Sequence, residues 1–94
     1  MGVTDATTIT VRPFLMGSDK EAALKPLEEA AEAYGEWQIM PMLRDGTLEG
    51  TDYFADELAD TITACVNLAD RYGLDLQAAI DRVETHNRER GRYQ

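Results

Sequence analysis

Residues 52–72 read DYFADELADTITACVNLADRY. Phe54, Leu58, Ile62, Cys65, Leu68, Ala69 and Tyr72 recur at three- and four-residue intervals, the period of an α-helix. Ala55, Ala59, Ala64 and Val66 widen the stripe, and between Leu58 and Ala69 the one charged residue is Asp60. A helix this apolar on most sides is expected to be central and buried. Thr51 or Asp52 is an acceptable N-cap, and Gly73 reads as the glycine just past the end. In Glu57-Leu58-Ala59-Asp60 the two carboxylates share a helical face, so they are expected beside the core and not on an open surface.

Upstream, Ser18 followed by Glu21 fits a capping box, which starts a first helix running to about Gln38. Leu24, Leu27, Ala31, Tyr34 and Gln38 give it an inner stripe, with Ala23, Ala30 and Trp37 beside them. Pro26 removes a backbone donor and is expected to kink or split this helix. Its acidic patch is Glu28-Glu29-Ala30-Ala31-Glu32. Neither this patch nor the second contains an arginine or lysine, so no ion-pair network is expected to neutralise them.

Downstream of Gly73, Asp75 caps a third helix whose inner stripe is Leu76, Ile80 and Val83. The same spacing continues to Asn87 and Arg90, so polar groups take over the inward face of the last turns. Between the first two helices, Pro41, Asp45-Gly46 and Gly50 mark a loop or hairpin-like connection. Before the first helix, Thr7 to Val11 is β-branched and precedes Arg12-Pro13, which favours an extended arm over residues 1–17. Residues 18–94 then form one helical domain.

At 94 residues a single core is marginal without help. Three helices of this length bury too little alone, so a homodimer or homotetramer built as a four-helix-type bundle is expected. The single cysteine, Cys65, cannot form an intrachain disulfide and reads as a small core residue. No apolar run approaches the roughly 18 residues of a membrane span, and no signal-peptide pattern opens the chain. The expected setting is the cytoplasm, with no membrane partner. A net charge of −9 argues against a nucleic-acid partner, whose phosphates need a basic footprint.

The carboxylates carry the chemistry this sequence can offer. On antiparallel helices, Glu28, Glu29, Glu32, Glu57 and Asp60 converge in one cleft, where ionised groups without partners cost several kcal/mol each. A hard divalent cation removes that cost, and all-oxygen ligands suit Mg²⁺ or Mn²⁺. His86, the single histidine, lies outside any Glu-x-x-His pairing for a di-iron site, and with Cys65 it leaves a zinc site short of ligands. No Walker A loop or nucleophile elbow is present. The arginine-rich ending around Asn87 and Arg90 suits phosphoryl oxygens, and also suits a helix C-terminus. Trp37, Tyr34, Tyr53 and Phe54 flank the acidic patches and suit core packing, and one of them, with Trp37 the candidate, suits stacking on a base.

In order and spacing, Glu28-Glu29-Ala30-Ala31-Glu32, Glu57-Leu58-Ala59-Asp60 and Asn87-Arg88-Glu89-Arg90 resemble the motifs of the MazG-like all-α nucleotide pyrophosphohydrolases, over about residues 20–93. The resemblance implies an Mg²⁺-dependent enzyme cleaving nucleoside triphosphates to the monophosphate and pyrophosphate. It implies that Glu29, Glu32, Glu57 and Asp60 hold metal and that Glu28 serves the attacking water or a second metal. Asn87 and Arg90 would lie near the nucleotide. Two positions depart from the pattern. Val83 stands where many relatives carry a lysine, with Arg82 or Arg88 as substitutes, and Thr61 to Ala64 lacks the aromatic-His pair of the phosphoribosyl-ATP branch. A helical dimer that binds a nucleotide without cleaving it is the alternative expectation.

Overall fold

The structure, a computed structural model, describes residues 5–40 and 51–93. Its regular elements are three helices, α1 (Asp19–Ile39), α2 (Asp52–Arg71) and α3 (Leu76–Glu89), and no strand occurs among the described residues. The chain is all-α, as the periodicity implies. The connection expected between Met40 and Thr51 lies outside the described residues. No described helix is long and apolar enough to cross a membrane.

Local chemistry sets the helix ends. Ser18 Oγ accepts the Glu21 N–H at 3.2 Å, the first half of the capping box. Asp75 Oδ1 likewise accepts the Ala78 N–H at 3.0 Å at the head of α3. Past α2, Gly73 takes φ +64°, the Leu74 N–H reaches the Ala69 carbonyl at 2.9 Å, and the Gly73 N–H reaches Asp70 at 3.1 Å. That is a Schellman closure, which a residue with a Cβ adopts only under strain. Gly91, at φ +72°, closes α3 in the same way, with the Arg92 N–H on the Asn87 carbonyl.

Pro26 does not split α1, which runs unbroken from Asp19 to Ile39. Its ring removes one ladder bond, to the Ala22 carbonyl, while the good helix formers on either side keep theirs. Asp19 lies against Arg71, Glu29 against Asp60, and Glu32 against Glu57. As numbers rise along α1 they fall along α2, so the two helices are antiparallel.

The face that α1 turns to α2 is not the expected one. Ala22, Glu29 and Ala33 are buried, with Pro26 and Glu36 half-buried between and beyond them. Leu24, Leu27, Ala31, Tyr34 and Gln38 point away, and Leu27 is 69% exposed. On α2 the buried residues are Ala64, Asn67 and Ala69, whereas Leu58, Ile62 and Tyr72 remain exposed. Within one chain α2 is therefore covered on one side only, and Cys65 is exposed, not a core residue. The physical reason is coverage. α1 and α2 form the one extensively packed pair, and α3 joins neither to a comparable degree. Ile80 and Val83, expected on the inner stripe of α3, are consequently exposed.

Residues 5–16 form no helix or strand, and their end is fixed to α2 by polar contacts. The Phe14 N–H donates to Asn67 Oδ1 at 2.8 Å. The Arg71 guanidinium donates to Asp19 Oδ1 at 2.6 Å and to the carbonyls of Met16 and Gly17 at 3.2 and 2.9 Å. The ion pair is exposed on the Asp19 side and contributes little, so the carbonyl bonds carry most of the hold. Arg71→Ala should lower stability by about 1–2 kcal/mol, read as a melting temperature several degrees lower. Limited proteolysis should show faster cleavage between residues 5 and 17, and an unchanged cleavage pattern would count against the clamp.

Candidate metal centre

Antiparallel packing places the middle of α1 against the first half of α2. One carboxylate oxygen each from Glu29, Glu57 and Asp60 lies within 4.8 Å of the other two. Glu29 is buried at 8% exposure, Glu57 is half-buried and Asp60 sits at the rim. Three like charges at this separation repel strongly, and partial burial weakens the solvent screening that would relieve them. Thr61 and Thr63 offer no donors, because their hydroxyls are spent on the Glu57 and Ala59 carbonyls of their own helix.

Lys25, which stands outside both acidic motifs, provides partial relief. Its Nζ lies 3.2 Å from Glu29 and 3.7 Å from Glu28, one turn away along α1. The hydrogen bond to Glu29 and the charge of Glu29 raise the Lys25 pKa. Desolvation opposes this, and the charges of Glu28 and Glu32 add to it. The signal was readable, since Lys25 stands three and four residues before the first two glutamates of the patch. Among the described residues, no ion pair joins Glu57 or Asp60 to a cation.

Glu57 shows the consequence. Desolvation holds its carboxyl above the usual range, followed by a hydrogen bond and charge from Glu32 and then by the charges of Asp60 and Glu29. Its Oε2 is buried and has no hydrogen-bond partner among the described residues. A buried oxygen of this kind costs about 1–3 kcal/mol unless something fills its lone pairs. An all-oxygen donor set with one orphaned buried oxygen fits a hard divalent cation such as Mg²⁺ or Mn²⁺.

The remaining expected site residues are placed differently. Glu32 is exposed and touches the group through Glu57. Glu28 is also exposed and pairs with Lys25. Trp37 stacks on Tyr34, with ring centres 5.8 Å apart and planes at 17°. The Asn87 amide donates to the Tyr93 hydroxyl at 3.5 Å, and Arg90 caps the end of α3. Among the described residues, no hydrogen bond or ion pair joins Asn87 or Arg90 to the carboxylates.

An open cleft of about 250 Å³ adjoins the cluster, with Glu29 and Asp60 on one edge and Phe14, Met16, Ala64 and Asn67 along its walls. The larger cleft, about 420 Å³, follows the first turns of α1 from Met16 to Glu28 and contains none of the three clustered carboxylates. Chemistry therefore points to the smaller one. Phe14, Met16 and Asn67 were not expected at a site. Asn67 is the lone amide in the apolar run of α2, but nothing in the sequence says which segment meets it.

Glu57 binds its proton more tightly in the folded chain than in the unfolded one, so its ionisation weakens the metal-free fold. That contribution is most favourable below the ordinary glutamate range and is lost as pH rises through the raised value. Glu57→Gln should therefore raise the metal-free melting temperature at pH 7 and have little effect near pH 4. Wild type should gain thermal stability from millimolar Mg²⁺ at pH 7, and the variant should gain less. Thermal melts at both pH values with and without Mg²⁺ check this.

Comparison with protein families, with curated proteins and with solved structures finds no match to this chain, so the resemblance rests on its own motifs and their placement.

Proposed function

We propose that this chain is a nucleoside triphosphate pyrophosphohydrolase, converting (d)NTP and water to (d)NMP and pyrophosphate. The observation that supports it most is the converging carboxylate group of Glu29, Glu57 and Asp60, with its orphaned Glu57 oxygen. Glu32, next to Glu57, completes the set that would hold Mg²⁺ or Mn²⁺. Such an ion, when bound, supplies positive charge for the phosphate oxygens and for charge developing on them.

The chain's own groups cover the other needs. Glu28 is solvent-accessible and one turn from Glu32, which suits a base that takes a proton from the attacking water. As the water oxygen bonds to phosphorus, the bridging P–O bond of the α–β anhydride breaks and pyrophosphate leaves. Lys25 stays beside Glu28 and Glu29 as a fixed positive charge. Asn87 and Arg90 are the candidates for nucleotide contacts on α3, whereas Trp37, expected to stack on a base, stacks on Tyr34 instead and is not part of the smaller cleft's lining.

The functional form is proposed to be a homodimer or homotetramer. Leu24, Leu27 and Tyr34 on α1, Leu58, Ile62 and Tyr72 on α2, and Ile80 and Val83 on α3 are all exposed. The radius of gyration is 15.7 Å, against about 12 Å for a compact chain of this length. A second copy covering these stripes gives a four-helix-type bundle and supplies further surface around the carboxylates.

With a panel of NTPs and dNTPs and Mg²⁺, wild type should release pyrophosphate. Glu57→Ala should cut the rate by more than the roughly 10–100-fold seen for outer-shell partners of a metal. Nucleotide binding without turnover would favour a sensing role, and no pyrophosphate release from any substrate would refute the enzyme. Light scattering should report a dimer or tetramer at micromolar concentration, where a stable monomer would contradict the assembly.

A further inference from the structure

Asn67 is 4% exposed and is, among the described residues, one of two buried polar residues, the other being Glu29. Its carboxamide is half used. The Phe14 backbone N–H points at one end from 2.8 Å, and because that group can only donate, that end must be the oxygen. Nδ2 is left with two N–H donors and no partner among the described residues. Asn67 lines the 250 Å³ cleft beside the carboxylates. With Oδ1 held by the arm, Nδ2 is the polar atom it has to offer there.

The other walls restrict what can lie against that donor. Phe14 brings a ring that is 58% exposed and not packed in a core, and Met16 and Ala64 add apolar surface. Thr63 brings no donor, because its hydroxyl is bonded to the Ala59 carbonyl at 2.9 Å. Lys25 is occupied by Glu29 and Glu28. Without a cation, Glu29 and Asp60 repel an anion placed in the cleft, and with one the phosphates would be held at these carboxylates, leaving the rest of the cleft to a neutral group. The space is smaller than the roughly 300–1,000 Å³ of drug-sized sites, so it suits a ring system and not a whole triphosphate. A neutral, flat group with a hydrogen-bond acceptor on its edge meets each of these conditions.

We propose that this cleft receives the base of the nucleotide, with Phe14 as the stacking wall and the Asn67 amide N–H donating to a ring carbonyl or ring nitrogen. This rests on the pyrophosphohydrolase reading, which places phosphates at the adjoining carboxylate edge. The arm thereby becomes part of the substrate site, fixed in place through the same asparagine that reads the base.

The test uses the full chain with Mg²⁺, calorimetry with α,β-methylene dNTP analogues, and inorganic tripolyphosphate as a ligand that has phosphates and no base. Asn67→Asp keeps an oxygen for the Phe14 N–H and removes the amide donor, and Phe14→Ala removes the ring without changing charge. The readout is the ratio of nucleotide affinity to tripolyphosphate affinity, which cancels effects of added charge on the phosphate end. Each variant, with wild-type helix content by circular dichroism, should lower that ratio about tenfold. An unchanged ratio in both variants overturns the base cleft.

Turnover measured in parallel separates the two ideas. If wild type releases pyrophosphate while both variants keep its KM and base preference, the cleft assignment fails and the hydrolase stands. A reduced ratio without wild-type turnover supports the cleft and refutes the hydrolase. If no nucleotide binds at all, both fail.

Discussion

α1 and α2 meet through alanines and carboxylates. Ala22, Glu29 and Ala33 on one helix face Glu57, Asp60, Ala64 and Asn67 on the other. Small side chains let the helices approach closely, and that approach brings Glu29, Glu57 and Asp60 within 4.8 Å of one another. The arrangement is electrostatically unfavourable by itself. Two features moderate it within the chain: the Lys25 ammonium beside Glu29, and the upward shift of Glu57, which favours its neutral form. Both are partial, and the unpaired Glu57 oxygen records what they leave undone. A site that is strained when empty and relieved by a cation is the physical logic behind the proposed function.

The same contact pushes the large apolar residues outward. Among the described residues no large side chain is fully buried, while Leu24, Leu27, Leu58, Ile62, Ile80 and Val83 are exposed. Full burial of such a residue contributes about 1.5–3 kcal/mol. Six of them, about half covered already, still represent roughly 5–9 kcal/mol, comparable with the whole stability of a small domain. This uncovered apolar surface is what the proposed assembly would bury. Polar residues inside the helix pair and apolar residues outside it are two sides of one arrangement, in which the carboxylates meet within the chain and the large apolar side chains face away from that contact.

The arm illustrates a different economy. Residues 5–16 have no ladder of their own, and their attachment comes from a buried amide and a guanidinium on α2. Directional bonds to backbone groups fix where the segment lies without requiring it to fold. Phe14 and Met16 are thereby set beside the carboxylate edge while remaining largely or partly exposed.

What the sequence determined by itself was local. Ser18, Asp75 and Gly73 set helix ends through hydrogen bonds within a few residues, so the starts of α1 and α3 and the end of α2 were legible almost to the residue. The i, i+3 spacing of Glu57 and Asp60, and the motif order, were legible too. Which face of each helix turns inward was not. Leu24 and Leu27 and the Ala22, Glu29 and Ala33 set are both valid stripes at helical period, and periodicity does not choose between them. Only packing made that choice, by placing α2 against the small residues. Lys25 as counter-ion, Cys65 on the outside, and the meeting of Phe14 with Asn67 across 53 positions all follow from it. Contacts distant in sequence leave no mark on local spacing, which is why the carboxylates were visible in the chain but the cleft beside them was not.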